Sequence, residues 1–346
     1  LNRNEQEKRP ATINEVAALA KVSIKTVSRV LNSEPNVRPQ TRDRVLSATK
    51  QLNYRPNLSA RRLASNRSFV IGLLYDNPQS DYVTTIQEGC LEVCRKEGYH
   101  LLIHPCRRSS PEFLSDIMGL HSGATSDGFI LTQPVSELES LTSTFIDRNI
   151  PFVRISQRES DISHCISVDD VLASSKMTEH LIELGHRRIG FIMGHPDHGS
   201  SHDRLLGYTK ALDKHGIPRD EALIEQGLYS FESGYSCARR LLSPGPQPTA
   251  IFASNDHMAM GVLTAAHEKK ILVPSQLSVC GFDDTPMARY AWPPLTTLRQ
   301  PIKQVARLAT EVLLSLIRKG EDTESDYQLH SELIKRSSSG PARPTL

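Results

Sequence analysis

Residues 22–32 read Val-Ser-Ile-Lys-Thr-Val-Ser-Arg-Val-Leu-Asn. Ser23 is an N-cap residue, and Val27, Val30 and Leu31 recur behind it at helical spacing. A helix built this way turns Val27, Val30 and Leu31 to one side and Ile24, Lys25, Ser28 and Arg29 to the other. Upstream, Thr12-x-x-Glu15 forms a capping box that opens a helix with Val16, Ala17, Leu19 and Ala20 on its apolar face. Lys21 and Val22 make a tight connection between the two. Downstream, Pro35 and Pro39 punctuate a loop, and a third helix is expected from about Gln40 to Leu52, with Val45, Ala48 and Leu52 inward. Three short helices with a tight break between the first two fit a helix-turn-helix. In such a head the outward side chains of the second helix reach base edges, while hydroxyls and Lys25 meet phosphates. Arg29 has the fork that reads a guanine bidentately. The same residues also fit a solvated basic face on a small bundle.

Charge separates this head from the rest. The 346-residue chain has a formal net charge of +2, but residues 1–68 hold 14 Lys/Arg against 5 Asp/Glu and the remainder 27 against 34. A basic head on an acidic body predicts a polyanion partner for the head alone. Apolar residues make up 38% of the chain and charged residues 23%, enough for buried cores and more than one domain. No apolar run is long enough for a transmembrane helix, and Leu1–Pro10 has the composition of a flexible arm, not of a signal peptide. The six cysteines show no Cys-x-x-Cys spacing, so reduced, mostly buried thiols and a cytoplasmic location are expected.

Leu58–Ser65 has helical composition but only two turns of length. Alone in water such a segment is mostly unfolded, so it reads as a linker that orders when something stabilises it. From Phe69 the rhythm changes to strand and helix in alternation. Strands are expected at Val70–Leu74, Leu101–His104, Gly128–Leu131, Phe152–Ile155, Ile189–Met193, Ala250–Ala253 and Ser278–Phe282. Helices are expected at Val83–Lys96, Ser174–Leu184 and His257–Lys269. This alternation predicts an α/β body of two doubly wound parallel-sheet lobes, with Ser337–Leu346 a frayed tail.

The head resembles the lactose-repressor (LacI/GalR) family. The resemblance rests on Ala11-Thr-Ile-Asn-Glu-Val-Ala, Val22-Ser-x-x-Thr-Val-Ser-Arg-Val-Leu-Asn, Val37-x-x-x-Thr-Arg, Leu52-Asn-Tyr-x-Pro-Asn and Ala60-Arg-x-Leu-Ala, in that order. It continues in Leu184-Gly-His-x-x-Ile-Gly-Phe-Ile, Arg204-x-x-Gly-Tyr, Ser254-Asn-Asp-x-Met-Ala-x-Gly, Ser278-Val-x-Gly-Phe-Asp-Asp and Pro294-Leu-Thr-Thr-Leu. It implies an arm at 1–10, a DNA-binding domain at 11–57, a hinge helix at 58–67 and an effector-binding and dimerisation domain at 68–341. The lobes of that domain are expected at about 68–168 with 298–325, and about 169–297 with 326–341. The resemblance also implies a homodimer on a palindromic operator, with periplasmic-binding-protein-like lobes. DNA contacts are implied for Thr12, Ser23, Ile24, Lys25, Thr26, Ser28, Arg29, Asn32, Tyr54, Asn57, Ala60, Arg61, Leu63 and Ala64. Leu63 takes the place of an apolar wedge that kinks the minor groove.

Two α/β lobes hold ligands at the carboxyl ends of their strands. Asp76 and Tyr82 follow the first strand, Ser156 ends the fourth, and His198 lies in the loop after Ile189–Met193. Matched by motif, Arg204, Asn255 and Asp283 fall where the family's ligand hydrogen-bonders fall, and Tyr229 where an aromatic packs on the ligand. Arg, Asn and Asp beside one aromatic suit a mono- or disaccharide effector; a nucleobase or another metabolite is the competing expectation. Asp256 and Asp284 fit ligand contacts and N-caps equally. His198 and His202 have the i, i+4 spacing of metal ligands but lack a third partner, so neither a metal nor a cofactor is expected. A sugar-binding protein of similar body would lack the basic head, and no Gly-x-Ser-x-Gly, Gly-x-Gly-x-x-Gly or P-loop suggests an enzyme. The expectation is a transcription regulator, most simply a repressor of carbohydrate-utilisation genes, not an enzyme.

Overall fold

The structure, a computed structural model, describes residues 11–31, 37–54, 67–77, 79–122, 125–156, 164–319 and 326–343. It divides into a unit within residues 1–69 and a larger one within residues 70–346. The expected arm, the linker at Leu58–Ser65, and the site residues Asn32, Asn57, Ala60, Arg61, Leu63 and Ala64 lie outside the described residues.

The first unit contains α1 (Ile13–Ala20), α2 (Ile24–Leu31) and α3 (Pro39–Gln51). Thr12 and Glu15 close the capping box in both directions, which starts α1 where the motif places it. Lys21 adopts a left-handed conformation at φ 51° and ends α1. Ser23 then accepts from the Thr26 N–H at 3.2 Å and starts α2. Val16, Ala17, Ala20, Val27, Val30, Val45 and Ala48 form the core, with Val22, Leu31, Leu52 and Tyr54 packed against it.

The larger unit holds two sheets. In the first, β1 (Val70–Tyr75), β2 (His100–Pro105), β3 (Phe129–Leu131), β4 (Phe152–Ile155), β5 (Cys165–Val168) and β11 (Asp326–Leu329) lie in the order β11-β5-β4-β3-β1-β2, all parallel. The second has β6 (Ile189–Met193), β7 (Ile224–Gln226), β8 (Ala250–Ala253) and β9 (Ser278–Cys280) in the order β7-β6-β8-β9, also parallel. All seven expected strands are present. Strand order reverses at β1/β3 in one sheet and at β6/β8 in the other, and the crevices outside those carboxyl ends are where such folds take ligands.

The chain passes between the lobes after β5, after β10 (Thr297–Arg299) and after β11. Two expected boundaries move. β11 pairs with β5 in parallel, from Asp326 opposite Cys165 to Leu329 opposite Val168, so 326–329 completes the first sheet and is not part of the second lobe. β10 pairs antiparallel with β12 (Glu332–Ile334), and the first lobe resumes with α12 (Ile302–Lys319), not at residue 298. An edge strand of four residues carries too little pattern to read, and it forms because β5 otherwise presents an unpaired edge. The expected frayed tail is also corrected over residues 337–343, the part that is described. The Ser338 hydroxyl donates to the Val279 carbonyl at 2.6 Å and accepts from the Thr296 N–H at 2.7 Å, and the Ala342 N–H donates to Leu184 O at 2.7 Å. The six cysteines are free and buried. Among the described residues no helix is long and apolar enough to cross a membrane.

Candidate functional site

In the head, α2 divides as its sequence predicts. Val27 and Val30 are buried, while Ser23, Ile24, Lys25 and Arg29 are exposed and Thr26 and Ser28 half-buried. Ile24 is 49% exposed, a cost in apolar surface that only a partner's apolar group would recover. Thr12 is the cap of α1, and Tyr54 is half-buried against the head's core, which raises its phenol pKa.

In the larger unit a cleft lies between the lobes at the two strand-order reversals. It encloses about 550 Å³, including space open to solvent. From the first lobe it is lined by Asn77, Gln79, Tyr82, Gln133 and Ser156, and from the second by His198, Ser200, Arg204, Tyr229 and Asp283. Gln300, Ile302 and Val305 follow the second passage between lobes, and Ile155, Ile166 and Val168 make an apolar wall. Six of the eight expected effector contacts therefore line one cavity: Tyr82, Ser156, His198, Arg204, Tyr229 and Asp283. Gln79, Gln133, Ser200 and Gln300 were not anticipated. Their only sequence signal is position, within a few residues of a strand's carboxyl end or of the motif that supplies Asp283.

Arg204 lies on α8 (Gly199–Lys214), buried. Its Nε donates to Asp170 Oδ2 at 2.9 Å and its Nη1 to the Ser254 carbonyl at 2.5 Å, while its plane covers Phe282 at 3.7 Å. Asp170 begins α7 (Asp170–Glu183) and is itself buried. Burial pushes its carboxyl up to about 6 against the lowering effect of Arg204. The pair is a fixed guanidinium with two of its directions committed, and one edge is left for the cleft.

Tyr229 has φ 62°, and its hydroxyl is 3.1 Å from the Ser200 hydroxyl. A Cβ on Gly194 would overlap its ring, so glycine there is a condition of this packing. Asn255 is completely buried and does not face the cleft, contrary to expectation. Its Oδ1 caps α10 (Asp256–Glu268) by accepting from the Met258 N–H at 2.9 Å, and its Nδ2 donates to the Tyr229 carbonyl at 2.9 Å. Both ends of the amide are engaged within the protein, so it positions Tyr229. Asp76 is the second correction. It holds Arg108 Nε at 2.8 Å, and Arg108 reaches Asp197 of the other lobe at 3.4 Å, so Asp76 belongs to an ion pair outside the cleft lining.

Asp283 has φ 113°, a conformation that non-glycine residues seldom adopt. Its Oδ1 accepts from Gln300 Nε2 at 2.6 Å. Burial raises its pKa and Arg204 lowers it. Neither neighbouring acid is an N-cap. The buried Asp256 carboxylate accepts from the Thr285 N–H at 2.7 Å and the Thr297 hydroxyl at 2.6 Å. Asp284 is held by Arg299 at 2.7 Å, by Arg336, and by Arg289 at 3.6 Å. His198 is buried, whereas His202 is exposed on the same helix, so the two do not converge. Burial and the charges of His195, Arg108 and Arg204 lower His198 to about 4, and it is neutral at pH 7. Among the described residues no group of His, Cys, Asp and Glu is arranged to hold a metal ion.

Residues 12–57 match the model for bacterial regulatory proteins of the lacI family, and residues 178–339 that for a periplasmic binding protein-like domain. The chain is 34% identical over 340 residues to the transcriptional repressor PurR of Escherichia coli, covering 96% of this chain and 98% of that one. It belongs to the LacI family. A probable repressor ExuR of Bacillus subtilis is 33% identical over 336 residues, covering 94% of this chain and 98% of its own length. The Lac repressor dimer bound to operator and an anti-inducer superposes with a TM-score of 0.77 at 28% identity, covering 96% of this chain and all of that one. A CelR–cellobiose complex superposes with a TM-score of 0.73 at 28% identity, covering 95% of this chain and all of that one. As a LacI-family member the protein is a DNA-binding transcriptional repressor with an effector-binding domain, not an enzyme.

Proposed function

We propose that the protein is a sugar-responsive repressor of carbohydrate-utilisation genes, bound as a homodimer to a palindromic operator. The observation that carries the sugar reading is the cleft's polar lining. Side-chain amides, hydroxyls, one carboxylate and one guanidinium converge from both lobes, with Tyr229 as the aromatic wall. A polyhydroxylated ring needs many directional partners and one flat apolar face, and this lining supplies both. One structural relative, the regulator CelR, is in complex with cellobiose. The name PurR among the relatives supports a purine effector instead. A base, however, is held by stacking and by few edge contacts, whereas amides and hydroxyls outnumber the aromatic groups Tyr82, His198 and Tyr229 among the described lining residues.

Dimerisation is supported by Tyr290 and Trp292, which are 84% and 91% exposed, an apolar pair that monomers seldom leave in water. Effector binding changes the lobe arrangement and so the affinity of the head for its operator. Coupling of about 1–3 kcal/mol alters operator affinity roughly 5- to 150-fold.

The test is a thermal-shift panel of neutral sugars and nucleobases, followed by operator binding with the stabilising compound. A sugar that stabilises the protein and changes operator affinity supports the reading; a nucleobase that does so in its place replaces it. Sedimentation of Trp292→Arg tests the dimer, which the substitution should weaken.

A further inference from the structure

The cleft adjoins three groups that can attract an anion, and each is already engaged by a carboxylate of the protein or uncharged. The first is the Arg204 guanidinium. Its Nε donates to Asp170 and its Nη1 to the Ser254 carbonyl, so the guanidinium already serves a carboxylate of the protein. Asp170 also cancels its charge from 2.9 Å away.

The second is the amino end of α8, whose first turn carries His198 and Ser200 to the cleft. Helix amino termini bind anions through their unpaired N–H groups. Here the Gly199 N–H donates to Glu137 Oε2 at 3.3 Å, a carboxylate brought from the other lobe. Gln133 Nε2 donates to the other oxygen of that carboxylate at 3.0 Å. The protein has supplied its own anion. The third place is His198, which is neutral at pH 7.

Asp283 adds a further carboxylate to the lining, close enough to Arg204 to feel its charge. Its partner is the Gln300 amide, which solvates a carboxylate without neutralising it. The cleft lining among the described residues thus contains Asp283, neutral amides and hydroxyls, and an arginine already paired.

We infer that the effector site selects an uncharged sugar and excludes its acidic and phosphorylated counterparts. The inference rests on the sugar reading above and narrows it. A ligand carboxylate placed beside Asp283 meets a like charge in a partly desolvated cleft where, among the described residues, the lining cation is Arg204, already paired with Asp170, which is specificity by repulsion. Neutral hydroxyls meet instead one carboxylate oxygen of Asp283, the free edge of Arg204, and the amides of Asn77, Gln79 and Gln133.

The experiment uses the full chain at pH 8, above the raised pKa of Asp283. Thermal shift and calorimetry compare matched pairs: galactose with galacturonate, glucose with glucuronate, and glucose with glucose 6-phosphate, with guanine and hypoxanthine alongside. At least one neutral sugar should stabilise the protein, and its acidic or phosphorylated counterpart should bind about 100-fold more weakly or not at all. Asp283→Asn should narrow that ratio to about tenfold or less, a change that loss of fold would not produce. A uronate or sugar phosphate binding as well as its neutral parent overturns the charge rule and leaves the sugar reading standing. Stabilisation by a nucleobase alone, or by no neutral sugar, overturns the sugar reading and this inference with it.

Discussion

Asp283 and Asp284 hold successive residues of one inter-lobe passage: Asp283 accepts from Gln300 Nε2 at 2.6 Å, and Asp284 from Arg299 Nε at 2.7 Å. Both have positive φ, 113° and 54°, which turns the two carboxylates to different surroundings. The first lines the cleft, and the second is clamped among arginines beside β10 and β12. Strain of this kind persists where the surrounding contacts over-determine it, and it costs on the order of 1–3 kcal/mol per residue.

Asp283→Gly should therefore stabilise the fold by about 1 kcal/mol while abolishing effector binding. Chemical denaturation read beside calorimetric binding checks both halves. A destabilised variant would mean that the Gln300 contact outweighs the backbone strain.

Asp170→Ala should destabilise the protein by about 3–5 kcal/mol, because it leaves the Arg204 charge buried without its carboxylate. Asp170→Asn keeps the shape and one hydrogen-bond acceptor, so it should cost less. Denaturant midpoints at constant slope distinguish the two.

Gly194→Ala should push the Tyr229 ring out of its place, since the added Cβ overlaps it. Effector affinity should fall at least tenfold, whereas operator binding by the head stays unchanged. Calorimetry and a DNA-binding assay on the same preparation make the comparison.

The pH dependence of stability should carry the mark of His198. Its folded pKa is lowered from 6.5 to about 4, so the unfolded chain takes up the proton first. The stability tied to the neutral ring is complete above pH 6.5 and is lost as pH falls from there toward 4, up to about 3 kcal/mol. Asp170 acts in the opposite sense. Its folded pKa is raised from 3.8 to about 6, so its contribution grows as pH falls through 6 toward 3.8. His198→Gln should flatten the acid loss between pH 6.5 and 4, as read by denaturation at each pH.

In the head, Arg29→Ala should relax sequence discrimination by about 1–3 kcal/mol at one operator position. Lys25→Ala should weaken binding evenly across sequences and reduce the slope of affinity against salt by about one. Fluorescence anisotropy on a panel of palindromes at several salt concentrations separates these effects.

Local rules were enough for the head and for the layout of the body. The capping box at Thr12, the spacing of Val27 and Val30, and the apolar runs from Val70 to Cys280 are short-range patterns, and each formed the element it predicts. The motifs also carried Arg204, Tyr229 and Asp283 to one cleft. Tertiary structure alone decided how these groups are spent. Asp170 stands 34 residues from Arg204, and nothing in either segment announces the pair. Asn255 sits in a ligand motif yet turns both ends of its amide inward, because an N-cap and the Tyr229 carbonyl claim them first. Glu137 reaches the amino end of α8 only because the lobes meet there. Side-chain identity determined which chemistry was present; distance across the fold determined which of it remained free for a ligand.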